Sequence, residues 1–392
     1  MSSLAEERGG ARYDYILITT IVLLTLLGLV TLYSASYLFA LNQPLRFKRG
    51  WTPLAGNLQA CMIMVIIIIP IMASLSLEGL KKKGFVVFLV LITFILNCLP
   101  FIPFFQKSNH SSGNDAMRWI VLKLDGKDFV SFQPSELIKV ALPVYLAYIL
   151  DKNKEKMHEF SHGFRPPLIV TVAFCTLVFF QKNFSELLFI AMISIIICFV
   201  GGVRFRQIVV LIALLFAGSL LMISTDKDQK IKTRFGDFMN GNHGYQITQS
   251  ISAIKSGGFW GKGIGQGTLK TRMPEVHGDF VFASYIEESG FLGLLLYLVC
   301  FGFFVCSGYL AAQQNQTRFG QILAFGLVTS LAVQTLINIL VVAGGLPVTG
   351  IPLPFVSSGG TSLLMTLISA ALIVKISRQN IRTGDMRRYY AG

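Results

Sequence analysis

The sequence predicts an all-α integral membrane protein of about ten transmembrane helices, with a long extracytoplasmic loop between spans 7 and 8. Three observations predict it. Of 392 residues, 53% are hydrophobic and 14% charged, where a soluble domain carries about 25% charged residues. Apolar runs recur at the length that crosses a bilayer, roughly 20 residues of helix. The charged residues gather in the intervals between those runs.

Taken in order, spans are expected near 15–40, 54–77, 84–105, 133–150, 167–182, 185–202, 206–224, 280–312, 319–345 and 359–377. The first run follows a polar start and is too long for a signal-peptide core. With no small-residue cleavage site after it, it reads as a retained span. The intervals are more informative. Residues 106–132 read as a polar loop ending in Gln133-Pro134, and 225–279 form the longest polar stretch, rich in glycine. Residues 346–360 (LPVTGIPLPFVSSGG) place prolines and glycines in an apolar context. Irregular backbone at membrane depth needs a protein or wet-cavity lining, so this segment is expected to line a cavity. The whole chain, 1–392, reads as a single polytopic membrane domain.

The formal net charge is +14. Its basic residues lie in short clusters between apolar runs, such as Lys81–Lys83 and Arg204/Arg206, and form no groove-lining stripe of the kind that binds nucleic acid. The lysine and arginine bias of the short loops puts both termini in the cytoplasm of a bacterial inner-membrane protein. The opposite side is also basic (Arg46, Lys48, Arg49, Arg118, Lys123, Lys127). Those residues form either a solvated loop on lipid headgroups or an anion site, and composition does not choose. The six cysteines fall in or beside apolar runs without CxxC spacing, so neither a disulfide framework nor a zinc cluster is indicated.

Two motifs fail on context. His158-Glu159-Phe160-Ser161-His162 matches HExxH, but it lies in a charged connector, and Pro166-Pro167 argue that any helix stops there. Gly257-Gly258-Phe259-Trp260-Gly261-Lys262 is one residue short of a P-loop, and Gly263 replaces its Ser/Thr.

Other segments hold together: YDYILI…LVTLYSAS (13–36), MRWI (117–120), FQPSELIK (132–139), YQITQSISAIKSGGFWGKGIGQG (245–267), PEVHGDFVFASYIEESGFLG (274–293) and LPVTGIPLPFVSSGGTS (346–362). In order and spacing they closely resemble the FtsW/RodA family, also called SEDS proteins, and GKGIGQGTLKTRMPEVHGDF looks more like the FtsW, cell-division branch. The resemblance implies a ten-span fold and a polymerase of lipid II, the undecaprenyl-pyrophosphate-linked disaccharide peptide, at the outer face of the cytoplasmic membrane. It implies a class B penicillin-binding protein transpeptidase as partner, alongside other division proteins and membrane lipid. It also maps the family's catalytic aspartate onto Asp279.

A carboxylate suits that chemistry, because it can accept the proton of an attacking sugar hydroxyl as the glycosidic bond forms. The bland alternative is a helix N-cap before the apolar run from Phe280. The departing diphosphate calls for positive charge, with Arg118, Lys139, Lys262, Lys270 and Arg272 as candidates. Arg118 and Lys139 rank first because they match family motif positions. Each exposed lysine also reads as a solvated side chain. Glu136 and Lys139, three apart on one helix face, form either a structural ion pair or part of the site. Glu275, His277 and Ser357 complete the substrate-binding candidates. Glu287 and Glu288, eight and nine residues beyond Asp279, lie roughly 12–14 Å along a straight helix, too far to assist it. A divalent cation such as Mg or Mn remains an open cofactor expectation, and no acidic cluster identifies ligands for it.

Three departures from the family pattern stand out. Gln181-Lys182-Asn183-Phe184-Ser185-Glu186 replaces Gln-Pro-Asp-x-Gly-Thr, Ser358 stands in place of tyrosine, and Gly278 in place of threonine or serine. A lipid II flippase and a non-catalytic division scaffold are the competing functions.

Overall fold

A chain this apolar must satisfy its backbone hydrogen bonds within each segment, which makes helices the dominant element. The structure, a computed structural model, describes residues 15–34, 62–63, 76–102, 118–124, 127–157, 159–225, 230–241, 244–273 and 278–391. Its main helices are α1 (Tyr15–Ser34), α2 (Lys83–Cys98), α3 (Pro134–Lys152), α4 (Arg165–Phe180), α5 (Phe184–Val200), α6 (Phe205–Thr225), α7 (Lys230–Met239), α8 (Tyr245–Gly257), α9 (Val281–Gln314), α10 (Arg318–Val342) and α11 (Gly360–Ala391). Helices stand at every expected span except 54–77, which falls almost wholly outside the described residues. Among the described residues, α1, α2, α9, α10 and α11 are long and apolar enough to cross a membrane, and α4, α5 and α6 are shorter apolar helices.

The chain divides into two compact units. One comprises the described residues up to 72 together with 228–311 and 331–392; the other comprises 73–227 and 312–330. In the second unit α3 is the central helix, buried along most of its length and packed by α2, α4 and α5. Pro134 opens it at a position whose N–H would be unpaired anyway. Buried Asn97, near the end of α2, donates from its side chain to the Pro134 carbonyl (3.1 Å) and receives the Gln181 side-chain amide on its own backbone carbonyl (2.9 Å), so one residue joins α2, α3 and the α4–α5 connection.

Two local expectations are corrected here. The interval read as a plain polar loop carries an antiparallel hairpin, β1 (Ile120–Leu124) with β2 (Lys127–Phe132), paired from Ile120↔Phe132 to Leu124↔Lys127. The connecting Asp125-Gly126 is the strongest short hairpin signal a sequence offers. Pro166-Pro167 do not end a helix; they lie in the first turn of α4, which a π-helical turn over Phe160–Phe164 leads into. His158 and the side chain of His162 lie outside the described residues.

In the first unit α9 is broken. Gly290 takes φ +66, ψ −162, dividing an arm of residues 281–289 from a bilayer-length stretch of 291–314. The polar stretch 225–279 contains α7, α8 and a one-turn helix, Leu269–Arg272. Residues 343–359 are irregular, as expected, with Ala343, Gly345 and Gly350 exposed and burial concentrated between Ile351 and Ser357. Ile351, Leu353, Phe355, Val356 and Ser357 are all buried. At Gly28 of α1 an added Cβ would run into the Phe355 carbonyl, so glycine there permits the helix to lie against this segment. A polar cavity of about 210 Å³ opens beside α8, between Ser252, Ser256, Lys262, Thr268 and Glu287.

Candidate active site

Asp279 lies on a half-buried turn just before α9. The residue directly preceding the helix is Phe280, whose carbonyl accepts from the N–H groups of Ala283 (3.1 Å) and Ser284 (3.4 Å), so Asp279 stands one position outside the cap. Two side chains fix the turn, and one glycine lies close to its carboxylate. Asn338 of α10 donates from one amide nitrogen to the Asp279 carbonyl and the Ile351 carbonyl, each at 2.9 Å. Ser357 donates to the Gly278 carbonyl (2.9 Å) and accepts from the Leu353 N–H (2.7 Å). Gly350, at φ +74, presents its α-carbon so that a Cβ there would lie 3.6 Å from Asp279 Oδ2. One helix turn before Asn338, Gln334 donates to the Pro352 carbonyl (2.8 Å). The irregular 343–359 segment and the Asp279 turn are therefore held to each other and to α10 by buried amides.

Ser357, read from sequence as a substrate contact, is buried with its hydroxyl bonded to backbone on both sides. That geometry makes it a residue that positions the turn. Asn338 and Gln334 were missed. Their signal was available: two amides four residues apart in an apolar span, where polar groups face the protein interior.

The lysines of the 257–272 loop are also reassigned. Glu287 accepts from Lys262 Nζ (2.6 Å), the Thr268 N–H (3.0 Å), the Thr268 hydroxyl (2.8 Å) and the Leu269 N–H (2.9 Å). It thereby caps the one-turn helix that begins at Leu269. Glu288 accepts from Lys270 Nζ (2.7 Å) and from Ser34 at the end of α1 (2.9 Å), and the Lys270 ammonium also donates to Ser34 (2.8 Å). The expectation of an exposed lysine at 270 is corrected: its side chain is 1% exposed. Burial holds that ammonium below the usual lysine range, and Glu288 and Glu287 offset only part of the drop. Lys262 keeps 30% of its side chain exposed at the rim of the polar cavity.

In the second unit the Glu136–Lys139 pair forms as its spacing suggests, at 2.7 Å and buried. A third member was not anticipated, Glu186 from the first turn of α5, whose carboxylate lies 3.4 Å from Lys139 Nζ. The departure at 181–186 thus removes an acid at 183 and supplies one at 186. Lys182 has φ +55, a value closed to the proline of the family pattern, whose ring holds φ near −65°. Arg118 donates to the Lys182 carbonyl at 2.9 Å, so it lies beside the altered segment. Glu275 and His277 lie outside the described residues, as does the side chain of Arg272. Among the described residues no group of three His, Cys, Asp or Glu side chains is placed to hold a metal ion.

The chain matches the FtsW/RodA/SpoVE cell cycle protein family over residues 14–382. It belongs to that family. Among curated relatives, it is 32% identical over 374 residues to a probable peptidoglycan glycosyltransferase FtsW of Geobacter metallireducens, covering 93% of this chain and 95% of the relative. A protein of the same description from Borreliella burgdorferi is 32% identical over 96% of this chain and 99% of its own length. Of solved structures, a chain from a peptidoglycan synthase complex superposes with a TM-score of 0.72 at 23% identity, over 94% of this chain and 98% of that one. The rod shape determining protein RodA of Thermus thermophilus gives 0.61 at 24% identity, over 93% and 96%. Both likenesses carry the fold. As a member of the FtsW/RodA/SpoVE family the protein is a multi-pass, helical membrane protein.

Proposed function

We propose that this protein is a peptidoglycan glycosyltransferase that polymerises lipid II at the outer face of the cytoplasmic membrane, in septal wall synthesis. It acts as a single polytopic domain with both termini cytoplasmic, beside a class B penicillin-binding protein transpeptidase and other division proteins. The observation that carries the chemistry is the Asp279 turn: a half-exposed carboxylate on backbone held by Asn338 and Ser357. A base must be positioned before it can be useful, and a fixed turn supplies that.

The reaction follows from a carboxylate in that position. One Asp279 oxygen takes the proton from the acceptor sugar's hydroxyl as the hydroxyl oxygen bonds to the anomeric carbon of the growing chain. The anomeric carbon–oxygen bond to the lipid diphosphate breaks, and the diphosphate leaves with the electron pair. Cations stabilise the charge that develops on it. Arg118, at a family motif position, is assigned to that role. Lys139 is engaged by Glu136 and Glu186, and Lys262 and Lys270 hold their loop.

The test uses purified full-length protein with its transpeptidase partner and lipid II. Asp279→Asn keeps the shape and removes the base, and strand synthesis should fall by about 100-fold or more. Undiminished synthesis by Asp279→Asn would falsify the base assignment. Lipid translocation in proteoliposomes without polymer would identify a transporter, and normal division supported by Asp279→Asn in cells would identify a scaffold.

A further inference from the structure

The Gly257–Gly263 segment, which superficially resembles a P-loop, does a different job. The break at Gly290 frees backbone groups at the head of a bilayer-length helix, where unpaired N–H and C=O groups are costly. The glycine-rich segment pairs with them. Lys262 N–H donates to the Glu287 carbonyl (3.0 Å), Gly263 N–H to the Glu288 carbonyl (3.0 Å), Phe291 N–H to the Gly258 carbonyl (3.0 Å) and Leu292 N–H to the Phe259 carbonyl (3.3 Å). The fit requires glycine on both sides: a Cβ at Gly261 would meet the Glu288 carbonyl, and one at Gly290 would meet the Gly261 nitrogen. Gly261 is also at φ +81.

This zipper presents aromatic side chains outward. Phe259 stacks on Phe291 (ring centroids 5.8 Å, planes 24° apart) and meets Trp260 edge-on (5.3 Å). Yet Trp260 is 77% exposed, Ile264 68% and Phe259 54%. Below them, Phe291 begins a stripe of exposed apolar residues on α9 that continues through Leu295, Val299 and Phe303. In a membrane-spanning helix such a stripe faces acyl chains. Through the Phe259–Phe291 stack the aromatic cluster adjoins the head of that stripe, and exposed Lys255 precedes it in sequence on α8. Tryptophan beside lysine at the end of a span is the composition of the headgroup zone, where an amphipathic ring and a cation are both satisfied.

We propose that Phe259, Trp260 and Ile264 form an interfacial anchor that inserts into the lipid headgroup–acyl boundary and holds the 257–272 loop at that depth. The anchor does not depend on the glycosyltransferase assignment. Its occupant is the lipid bilayer.

Trp260 reports on this directly, because the chain has 3 tryptophans. The Trp51→Phe, Trp119→Phe variant leaves Trp260 as the sole emitter. The full-length protein is reconstituted into phosphatidylglycerol/phosphatidylethanolamine vesicles whose acyl chains are brominated near the headgroup. Emission is expected to drop roughly two-fold against unbrominated vesicles, as for a ring at the interface, with little quenching by aqueous iodide. Strong iodide quenching with no response to brominated lipid overturns the anchor. If iodide quenching then disappears on addition of the transpeptidase, the surface is a protein-docking face, which equally overturns it. Should the double variant fail to fold, the difference in quenching between the native chain and Trp260→Phe isolates the same residue.

Discussion

Two buried charge clusters, one in each compact unit, solve opposite problems. In the first unit Glu287 and Glu288 meet two ammonium groups, Lys262 and Lys270, and also the N–H groups of Thr268 and Leu269 and the hydroxyls of Thr268 and Ser34. Apart from the Ser34 contact, which reaches α1, these contacts tie a polar, glycine-rich loop to the arm of a broken helix. In the second unit Glu136 and Glu186 share one ammonium, Lys139, and the cluster joins side chains of α3 and α5. Loops with little apolar side chain to bury need hydrogen-bonded charge to hold them. Helices already packed through apolar side chains do not. Buried ion pairs add little net stability when apolar packing is the alternative, but breaking one side is costly. The loop clamp should therefore be far less tolerant of change than the interhelical triad.

The largest effect should come from Glu288→Ala. It leaves Lys270 buried beside Ser34 without its carboxylate, at a cost of about 3–5 kcal/mol. Thermal unfolding in detergent should show a much lowered Tm, with proteolysis first appearing within 257–272. Adding Lys270→Met should restore part of the loss, because it removes the stranded charge. If the double variant is no better than Glu288→Ala, the clamp does not act through charge.

Next comes the break itself. Gly290→Ala puts a Cβ into the Gly261 backbone at a positive φ that alanine disfavours, and neither strand of the zipper has a flexible side chain to yield. A loss of about 3 kcal/mol is expected from strain and clash together. Gly302→Ala in the same helix is the control. Nothing lies within 4 Å of a Cβ there, and alanine's better helix propensity should leave stability unchanged or raised by up to about 1 kcal/mol. Equal losses for both would mean that the helix resists alanine generally and that the zipper is not special.

The two regions also differ in how far the sequence revealed them. The helices follow from apolar run lengths, because lipid leaves a spanning segment few other structures. The Glu136–Lys139 pair follows from three-residue spacing. Family resemblance, carried on PEVHGDF, pointed to Asp279. The clamp did not show itself. Its lysines lie 18 to 25 residues from their glutamates, and a sequence pattern does not say which of several lysines folds back onto a given glutamate. Straight-helix reasoning weighed Glu287 and Glu288 only as partners of Asp279, whereas the break at Gly290 opens their carbonyls to a loop. Two acids in an apolar stretch were nevertheless a usable sign of buried partners. The hairpin at 120–132 was missed although Asp125-Gly126 sat between strand-like runs.

The smallest expected effect tests the other half of the contrast. Lys139 lies 2.7 Å from Glu136 and 3.4 Å from Glu186, so the nearer carboxylate already neutralises it. Glu186→Gln keeps the side-chain shape, removes one of two like charges around a single ammonium, and leaves the Glu136–Lys139 pair intact. Like charges in a low-dielectric interior repel, which offsets what the longer contact contributes. The Tm of Glu186→Gln should stay within the shift produced by about 1 kcal/mol in either direction. A fall comparable to that of Glu288→Ala would make Glu186 a required counter-ion. The acid at 186 would then be an obligatory replacement for the one missing at 183, and the two clusters would obey the same rule.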